Sequence, residues 1–280
     1  MTARGPLRSE AGLSFWVRGD SSLYPPSAFP LYSASMETSP AKAAGPARES
    51  LAPVDGAFFA PLEAETRFLL VRHGHSEGNA RRIIQGKLDL PLDEVGRAQA
   101  ATAGAWLARQ GVEAVVSSPL ARAAETARII AAACGLGKPE SHACLAELDT
   151  GMFSGLSLDE ARERFPGPYA EFEHRSWDGV PDAEPAEALY ARATLAWALL
   201  RDLAVSGAGT IACVTHGGFI QWLVRATFGC RSWMPLLPTG NCGVFELLAV
   251  PTGGGRPAYL QWRLVNHQPA ASVQAVAPVF

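Results

Sequence analysis

Long apolar segments are absent from this sequence of 280 residues. It has no run of about 18 apolar residues, the length that a membrane-spanning helix requires, so we expect no membrane insertion. The N-terminus has no apolar core of the kind that signal peptides carry, which favours a cytoplasmic location. Cysteine is also scarce: the five cysteines are scattered without C-x-x-C spacing, as is typical of reduced thiols rather than of a zinc site.

No excess of positive charge is present either. The net charge is -3 and the sequence pI is near 6.1, which argues against nucleic acid or an anionic membrane surface as a partner. Any affinity for anions must therefore come from a local cluster of cations. Composition leaves the oligomeric state open.

Residues 1–66 form a Pro-, Ala- and Ser-rich leader that we expect to be flexible. They contain 8 of the 21 prolines and show no sustained periodicity. They also hold seven aromatic residues, more than linkers usually carry, which allows part of the leader to dock on the rest of the chain. An alternative is that translation begins at Met36 and that the first 35 residues do not belong to the protein.

From Thr66 onward, predicted strands alternate with predicted helices. This pattern predicts an α/β fold, a three-layer sandwich in which a mostly parallel sheet has helices on both faces. The domain is expected to cover residues 67–270, with a small aromatic-rich cap around 145–182 that faces the substrate. The strands are predicted at 68–71, 114–116, 210–214, 244–250 and 259–265. The helices are predicted at 94–110, 118–134, 185–203 and 219–228, the first with Asp93 and the second with Ser118 as N-cap.

Two histidines are predicted to end two of these strands. His73 follows the strand at 68–71, directly after Arg72, and His216 follows the strand at 210–214. A glycine comes after each histidine, and Gly217 in particular leaves room for a ligand beside His216. Because open α/β sheets bind ligands at the carboxyl ends of their strands, both imidazoles are expected to face one pocket.

Phosphoryl transfer needs a nucleophile, cations for the phosphoryl oxygens and an acid for the leaving group, and each of these has a candidate here. Arg122 lies in the first turn of the helix predicted at 118–134, where backbone N–H groups favour an anion. Glu147 is a candidate proton donor, with Asp149 as a competing choice that more simply is a solvated turn carboxylate. A rival interpretation makes His73 and His75 a metal-binding pair, although no carboxylate or third histidine at ligand spacing supports it.

Taken together, four separated motifs resemble the histidine phosphatase superfamily, the phosphoglycerate-mutase-like proteins. The motifs are Arg72 to Asn79, Ser117 to Ala127, Glu147 with Gly151 and Gly155, and Val214 to Gly218. The resemblance covers about residues 67–250. It implies that His73 is the phosphohistidine nucleophile and Glu147 the proton donor. The residues that it implies as phosphate and substrate contacts are Arg72, Arg122, His216, Asn79, Gln85 and Gly86.

The resemblance implies a phosphatase with a small phosphorylated substrate and no metal or other cofactor. A phosphoglycerate mutase is the alternative. Mutases of this family carry a longer insertion after the acid, whereas Glu147 and His216 are only 69 positions apart here. The arginines in that interval are expected on a solvated helix face, apart from Arg175. The segment 182–185 also departs from the family's Gly-Gly-Glu-Ser type element. A binding protein without turnover is a further alternative, although none of the catalytic residues is lost.

Overall fold

A computed structural model describes residues 53–233, 236–253 and 257–269. These residues form a six-stranded sheet. Its strands are β1 (Thr66–Arg72), β2 (Ala114–Ser117), β3 (Glu140–Ser141), β4 (Thr210–Thr215), β5 (Val244–Val250) and β6 (Tyr259–His267).

The sheet has the strand order β3-β2-β4-β1-β5-β6. The first four strands in this order are mutually parallel, whereas β5 and β6 add to β1 in antiparallel pairing. In β1 every residue except Arg67 is buried, which explains why the strand reads as a continuous apolar run. The predicted α/β fold with a mostly parallel sheet is therefore confirmed.

Seven α-helices connect and cover these strands in the described part of the chain. They are α1 (Glu77–Ala80), α2 (Glu94–Ala108), α3 (Ala121–Ala133), α4 (Leu158–Arg164), α5 (Pro166–Arg175), α6 (Ala186–Val205) and α7 (Gly217–Thr227). Alternate residues of β1 face opposite layers, as the pleat requires. Leu69 and Val71 pack in one apolar cluster with α2 and α3, while Phe68 and Leu70 pack in another with α6 and α7.

Element boundaries agree with the sequence to within a few residues, with two informative differences. Asp93 is the N-cap of α2, as predicted, and its carboxylate accepts a hydrogen bond from the Gly96 N–H. Helix α3, in contrast, begins at Ala121 with Leu120 as N-cap, so the assignment of Ser118 as N-cap was wrong. The Ser118 hydroxyl is instead 2.7 Å from a ring nitrogen of His216. Strand β3 was not predicted, because two exposed residues carry no periodic signal.

Packed residues begin earlier in the chain than the expected domain boundary at residue 67. Val54, Phe59 and Leu62 are buried, although the sequence placed them in the flexible leader. The Phe59 ring lies 5.9 Å from the Trp197 ring in an edge-to-face arrangement, which anchors this segment to α6. The rest of the predicted leader, residues 1–52, lies outside the described residues.

The expected cap consists of α4, α5 and a 3-10 turn at Ser176–Gly179. Its aromatic side chains contact one another, as in the pair of Phe172 and Trp177, whose ring centroids are 5.0 Å apart. None of the helices in the described ranges combines the length and apolar character needed to cross a membrane.

Candidate active site

Three neighbouring strands deliver the central residues of the site to one edge of the sheet. Strands β2, β4 and β1 lie side by side and run parallel, so their carboxyl ends meet. His73 follows β1, Ser118 follows β2 and His216 follows β4. The His73 N–H donates to the carbonyl of Thr215 over 2.9 Å, which continues the strand pairing into the site. Register between these strands therefore sets the positions of both histidines.

His73 is buried and is held as a neutral imidazole. Its Nδ1 is 2.7 Å from the carbonyl oxygen of Gly74. A carbonyl oxygen can only accept, so Nδ1 carries the hydrogen and Nε2 keeps its lone pair. Burial, and after it the charges of Arg122 and Arg72, hold the pKa of His73 well below its ordinary value of 6.5.

Two buried guanidinium groups lie beside this imidazole. Arg72 donates to the carbonyl of Thr239, and Arg122 donates to the carbonyls of Leu88 and Gly86 over 2.7 Å and 2.8 Å. Burial lowers the pKa of Arg122 to about 10, which leaves the group charged at neutral pH.

Neither guanidinium is neutralised by a carboxylate in contact with it. In the part of the chain that the structure describes, neither arginine forms an ion pair, and the Nε atom of each is buried without a hydrogen-bond partner. Buried cations without paired anions are costly, so this arrangement is suited to binding an anion. A phosphate monoester supplies the charge and the acceptor oxygens that these groups need.

His216 contributes a third donor. It is fully buried, its Nε2 is 2.7 Å from the Ser118 hydroxyl oxygen, and its ring centroid is 5.1 Å from that of His73. The Ser118 oxygen already accepts from the Leu120 N–H over 3.2 Å. The hydroxyl can either donate to Nε2 or accept from it; in the tautomer in which it donates, the Nδ1 atom carries a hydrogen, and this atom is buried without a partner among the described residues. Burial keeps the pKa of His216 well below 6.5.

Glu147 reaches the site from the loop that follows the 3-10 turn at Ala143–Leu145. Its carboxylate accepts hydrogen bonds from the N–H groups of Leu148 at 2.9 Å, Gly218 at 3.1 Å and Phe219 at 2.9 Å. The last two belong to the first turn of α7, whose dipole favours an anion there. A Cβ atom on Gly218 would lie 2.7 Å from a Glu147 oxygen, so only glycine allows this approach.

Arg192 anchors the same loop, and the sequence did not identify it. Its guanidinium makes two hydrogen bonds of 2.8 Å to the carboxylate of Glu184 and donates to the carbonyls of Cys144 and Ala146 over 3.1 Å and 2.6 Å. It also lies 4.0 Å above the ring of Phe219. The assignment of Arg192 to a solvated helix face was therefore wrong.

Local sequence spacing gave no signal for Arg192. Glu184 lies before α6, eight positions ahead of Arg192. Eight helical residues rise about 12 Å, beyond the reach of i,i+4 pairs, so this contact depends on how the chain folds back before the helix begins. The pair has small side-chain exposure, 16% for Arg192 and 14% for Glu184.

A cavity of about 30 Å³ connects these groups. It is lined by Arg72, His73, Ile83, Gln85, Gly86, Arg122, Glu147, Leu148, Thr150 and Gly218. The structure thus brings together the expected nucleophile, cations and proton donor, together with Gln85 and Gly86. Ile83, Leu148 and Thr150 are additional lining residues that carried no motif signal.

Neither Gly217 nor Asn79 is among the residues that line this cavity. A Cβ atom on Gly217 would lie 2.8 Å from the Thr239 hydroxyl oxygen and 3.3 Å from the Arg72 Nε, so glycine leaves room for both side chains. The side-chain oxygen of Asn79 accepts hydrogen bonds from the backbone N–H and the hydroxyl of Ser76, the N-cap of α1, and from the side-chain amide of Asn241.

The alternative proton donor, Asp149, and the second member of the expected metal pair, His75, each have another partner in the structure. The Asp149 carboxylate accepts from the Gly151 N–H and lies 3.5 Å from the Lys87 ammonium, as a half-exposed turn carboxylate does. His75 Nδ1 is 2.6 Å from an Asp93 oxygen. Within the described ranges, no group of three or more His, Cys, Asp or Glu side chains is arranged to hold a metal ion.

Comparison with known proteins gives a family match over most of the described chain. The family model described as "Histidine phosphatase superfamily (branch 1)" matches residues 68–262. "Phosphoglycerate mutase-like protein 4" of Arabidopsis thaliana is 38% identical over 203 residues, which cover 71% of this chain and 85% of that protein. "2-carboxy-D-arabinitol-1-phosphatase" of Triticum aestivum is 31% identical over 218 residues, which cover 77% of this chain and 43% of that protein.

Solved structures share the fold. The YhfR protein of Bacillus stearothermophilus superposes with a TM-score of 0.60 at 26% identity, covering 71% of this chain and 96% of that one. A mycobacterial glucosyl-3-phosphoglycerate phosphatase superposes with a TM-score of 0.59 at 24% identity, covering 72% of this chain and 99% of that one. The comparisons therefore include proteins named as phosphatases and proteins named as mutase-like.

Proposed function

Because the chain belongs to the histidine phosphatase superfamily, we propose that it hydrolyses phosphate monoesters through a phosphohistidine at His73. The observation that carries the proposal is a buried neutral imidazole beside two buried guanidiniums that have no paired carboxylate. The imidazole supplies the nucleophile, and the guanidiniums supply charge for the phosphoryl oxygens. The resemblance inferred from the four motifs is confirmed by the family match.

The proposed reaction has two steps. In the first, the lone pair of His73 Nε2 attacks phosphorus in line with the leaving oxygen. The nitrogen–phosphorus bond forms as the phosphorus–oxygen ester bond breaks, and Glu147 gives a proton to the departing alcohol. In the second, water attacks the phosphohistidine, Glu147 takes a proton from that water, and the phosphorus–nitrogen bond breaks to release inorganic phosphate and neutral His73.

Charge neutralisation is assigned to protein side chains. We propose that Arg72 and Arg122 take the role that Mg²⁺ has in many phosphoryl-transfer enzymes, with the His216 Nδ1–H as a further donor. Because these donors are buried, they act in a medium of low dielectric and need little rearrangement during the reaction.

A phosphoglycerate mutase activity is the second candidate, favoured by the name of the Arabidopsis relative. Two features speak for hydrolysis instead. Arg72 and Arg122 are the cations that line the small cavity in the described chain, and the cations that line the adjoining cavity, Arg175 and Arg231, are exposed rather than buried. Arg175, the expected exception, is 61% exposed and lies 3.7 Å from the Glu171 carboxylate.

The test is phosphate release from an aryl phosphate by the full chain in EDTA, with His73→Ala as the variant. His75→Ala is the matched control, because it removes a neighbouring imidazole that is paired with Asp93 outside the cavity lining. We expect turnover by the wild type and the control, none by His73→Ala, and an alkali-stable, acid-labile phosphoenzyme in the first two. Equal turnover by His73→Ala would overturn the mechanism.

The same assay separates the alternatives. Phosphate binding with no turnover and no phosphoenzyme would favour a binding protein without catalysis. Transfer between the positions of a phosphoglycerate that exceeds phosphate release would favour the mutase. Activity that disappears in EDTA and is lost in both His73→Ala and His75→Ala would favour the metal-pair interpretation of His73 and His75.

A further inference from the structure

A second, larger cavity adjoins the small one. Its volume is about 510 Å³, and the two cavities share Leu148 and Gly218 as lining residues. The other described residues that line it and bear on its chemistry are Leu158, Phe172, Trp177, Gln221, Trp233 and Leu236. Known small-molecule sites occupy about 300–1,000 Å³, so this cavity is large enough to hold an organic ligand.

The position of Glu147 relates the larger cavity to the reaction. The small cavity, at about 30 Å³, has room for a phosphoryl group and little more. The leaving oxygen must lie beside the Glu147 carboxylate, which is hydrogen bonded to the N–H of Gly218. Because Gly218 and Leu148 belong to both cavities, the alcohol carbon attached to that oxygen is directed toward the larger one.

The walls of the larger cavity are mainly apolar. Leu148, Trp177 and Trp233 are buried, and the ring of Phe172 contacts that of Trp177 at 5.0 Å. The charged side chains belong to residues on the exposed rim: Glu173, Arg175, Asp178 and Arg231. Both signs are present in this rim set and all four residues are exposed, so among its described lining residues the cavity has no buried cation to hold a second anionic group of the substrate.

From this arrangement, and resting on the proposed hydrolysis at His73, we infer the class of substrate. We propose that the enzyme acts on phosphate monoesters of bulky, predominantly apolar alcohols, whose apolar part is a flat ring system bound between the side chains of the larger cavity. Aromatic walls favour stacking or edge-to-face contact with such a ring. Esters of small, charged alcohols such as glycerate would leave the cavity unfilled.

The experiment compares esters whose leaving groups have similar intrinsic reactivity. Ethyl phosphate, 2-(1-naphthyl)ethyl phosphate and 3-phosphoglycerate are each assayed for kcat/KM with the full chain. We expect the naphthyl ester to exceed ethyl phosphate by about 50-fold, the effect of moving roughly 100 Å² of apolar surface out of water. The 3-phosphoglycerate value is expected to stay near that of ethyl phosphate.

Variants locate the effect. Leu236 lines the cavity and is 41% exposed, so Leu236→Glu places a charge there with little cost to folding. The matched control is Leu195→Glu, since Leu195 is 65% exposed on α6 and does not line the cavity. We expect Leu236→Glu to lower kcat/KM for the naphthyl ester about tenfold, a share of the apolar effect. Its value for ethyl phosphate should fall much less than its value for the naphthyl ester, and both values for the control should stay unchanged.

Leu158→Glu, on α4, provides a second lining position with the same expectation. Turnover without preference for the naphthyl ester, or a preference that neither lining variant reduces, would overturn this inference and leave the proposed hydrolysis intact. Absence of turnover with all three esters and with the aryl phosphate would overturn the proposed function and the inference with it.

Discussion

Replacement of Arg192 by alanine tests how the proton donor is held. The change removes two hydrogen bonds to Glu184 and the donors to the carbonyls of Cys144 and Ala146. The carboxylate of Glu184 is left without its cation, and its side chain is only 14% exposed. Removing one partner of a largely buried ion pair costs about 3–5 kcal/mol of unfolding free energy, whereas exposed pairs contribute about 0–1 kcal/mol. We therefore expect a loss near 3 kcal/mol, because some exposure remains.

Urea unfolding of the purified variant measures this loss. The matched control is Arg97→Ala. The Arg97 side chain is 47% exposed and is paired with Glu125, so this substitution is expected to lower the free energy of unfolding much less. The double variant Arg192→Met with Glu184→Leu removes both charges and should recover part of the lost stability, since no unpaired buried charge remains. A loss no larger than that of the control, or a double variant that is worse than the single one, would refute this reasoning.

The same variant should show a catalytic signature. Arg192 does not line the small cavity, so we describe it as a positioning residue for the loop that carries Glu147. Its loss should lower kcat/KM, which reports formation of the phosphohistidine, more for an alkyl phosphate, whose leaving group requires a proton, than for p-nitrophenyl phosphate, whose leaving group does not. Equal reductions for both esters would show that Arg192 acts on stability alone.

Two further outcomes follow from the site. Glu147→Gln should lower kcat/KM, which reports formation of the phosphohistidine, by about 10²–10⁴-fold for an alkyl phosphate and much less for p-nitrophenyl phosphate. Asp149→Asn should leave both values within about threefold, and an equal loss of kcat/KM for the two esters in Glu147→Gln would contradict the acid role. Because burial lowers the pKa of His73 and His216 below 6.5, the unfolded chain binds more protons below that pH. The resulting stability is therefore complete above about pH 6.5 and falls below it, by up to about 1.4 kcal/mol per pH unit for each histidine. Urea unfolding at about pH 7.5 and about pH 5.5 should show a steeper loss for the wild type than for His216→Asn, and equal slopes would contradict it.

The residues around the expected phosphate site, His73, Arg122 and His216, were placed from the sequence because they follow local signals. His73 and His216 come directly after strands whose apolar runs are plain, and parallel neighbours bring strand ends together. Arg122 was placed in the first turn of a helix, and it lies in the first turn of α3 even though that helix begins later than expected. Local patterns of this kind survive small errors in element boundaries.

Residues whose positions depend on long-range packing were not predicted in the same way. Arg192 was assigned to a solvated face because helical periodicity does not show what covers that face. The loop of Cys144 and Ala146, which the side chain of Arg192 holds, comes from a part of the chain about 46 positions earlier. The capping role of the Asn79 oxygen was not predicted either, and it leaves the expected contact of Asn79 with phosphate as a prediction.

The phosphate side and the leaving-group side of the proposed site are therefore specified by different features of the fold, and this difference bears on substrate specificity. The proposed phosphate side is built from strand ends and helix termini around the sheet, so any phosphate monoester would present the groups that it is proposed to recognise. The leaving-group side is built from Leu148 and from cap side chains such as Phe172 and Trp177, which are placed by packing between α5, α7 and the turn that follows α5. Substitutions in the cap change the shape of the larger cavity without touching His73 or its cations. A shared reaction with different alcohols is the expected result, and the choice of alcohol must be sought in the cap rather than in the motifs.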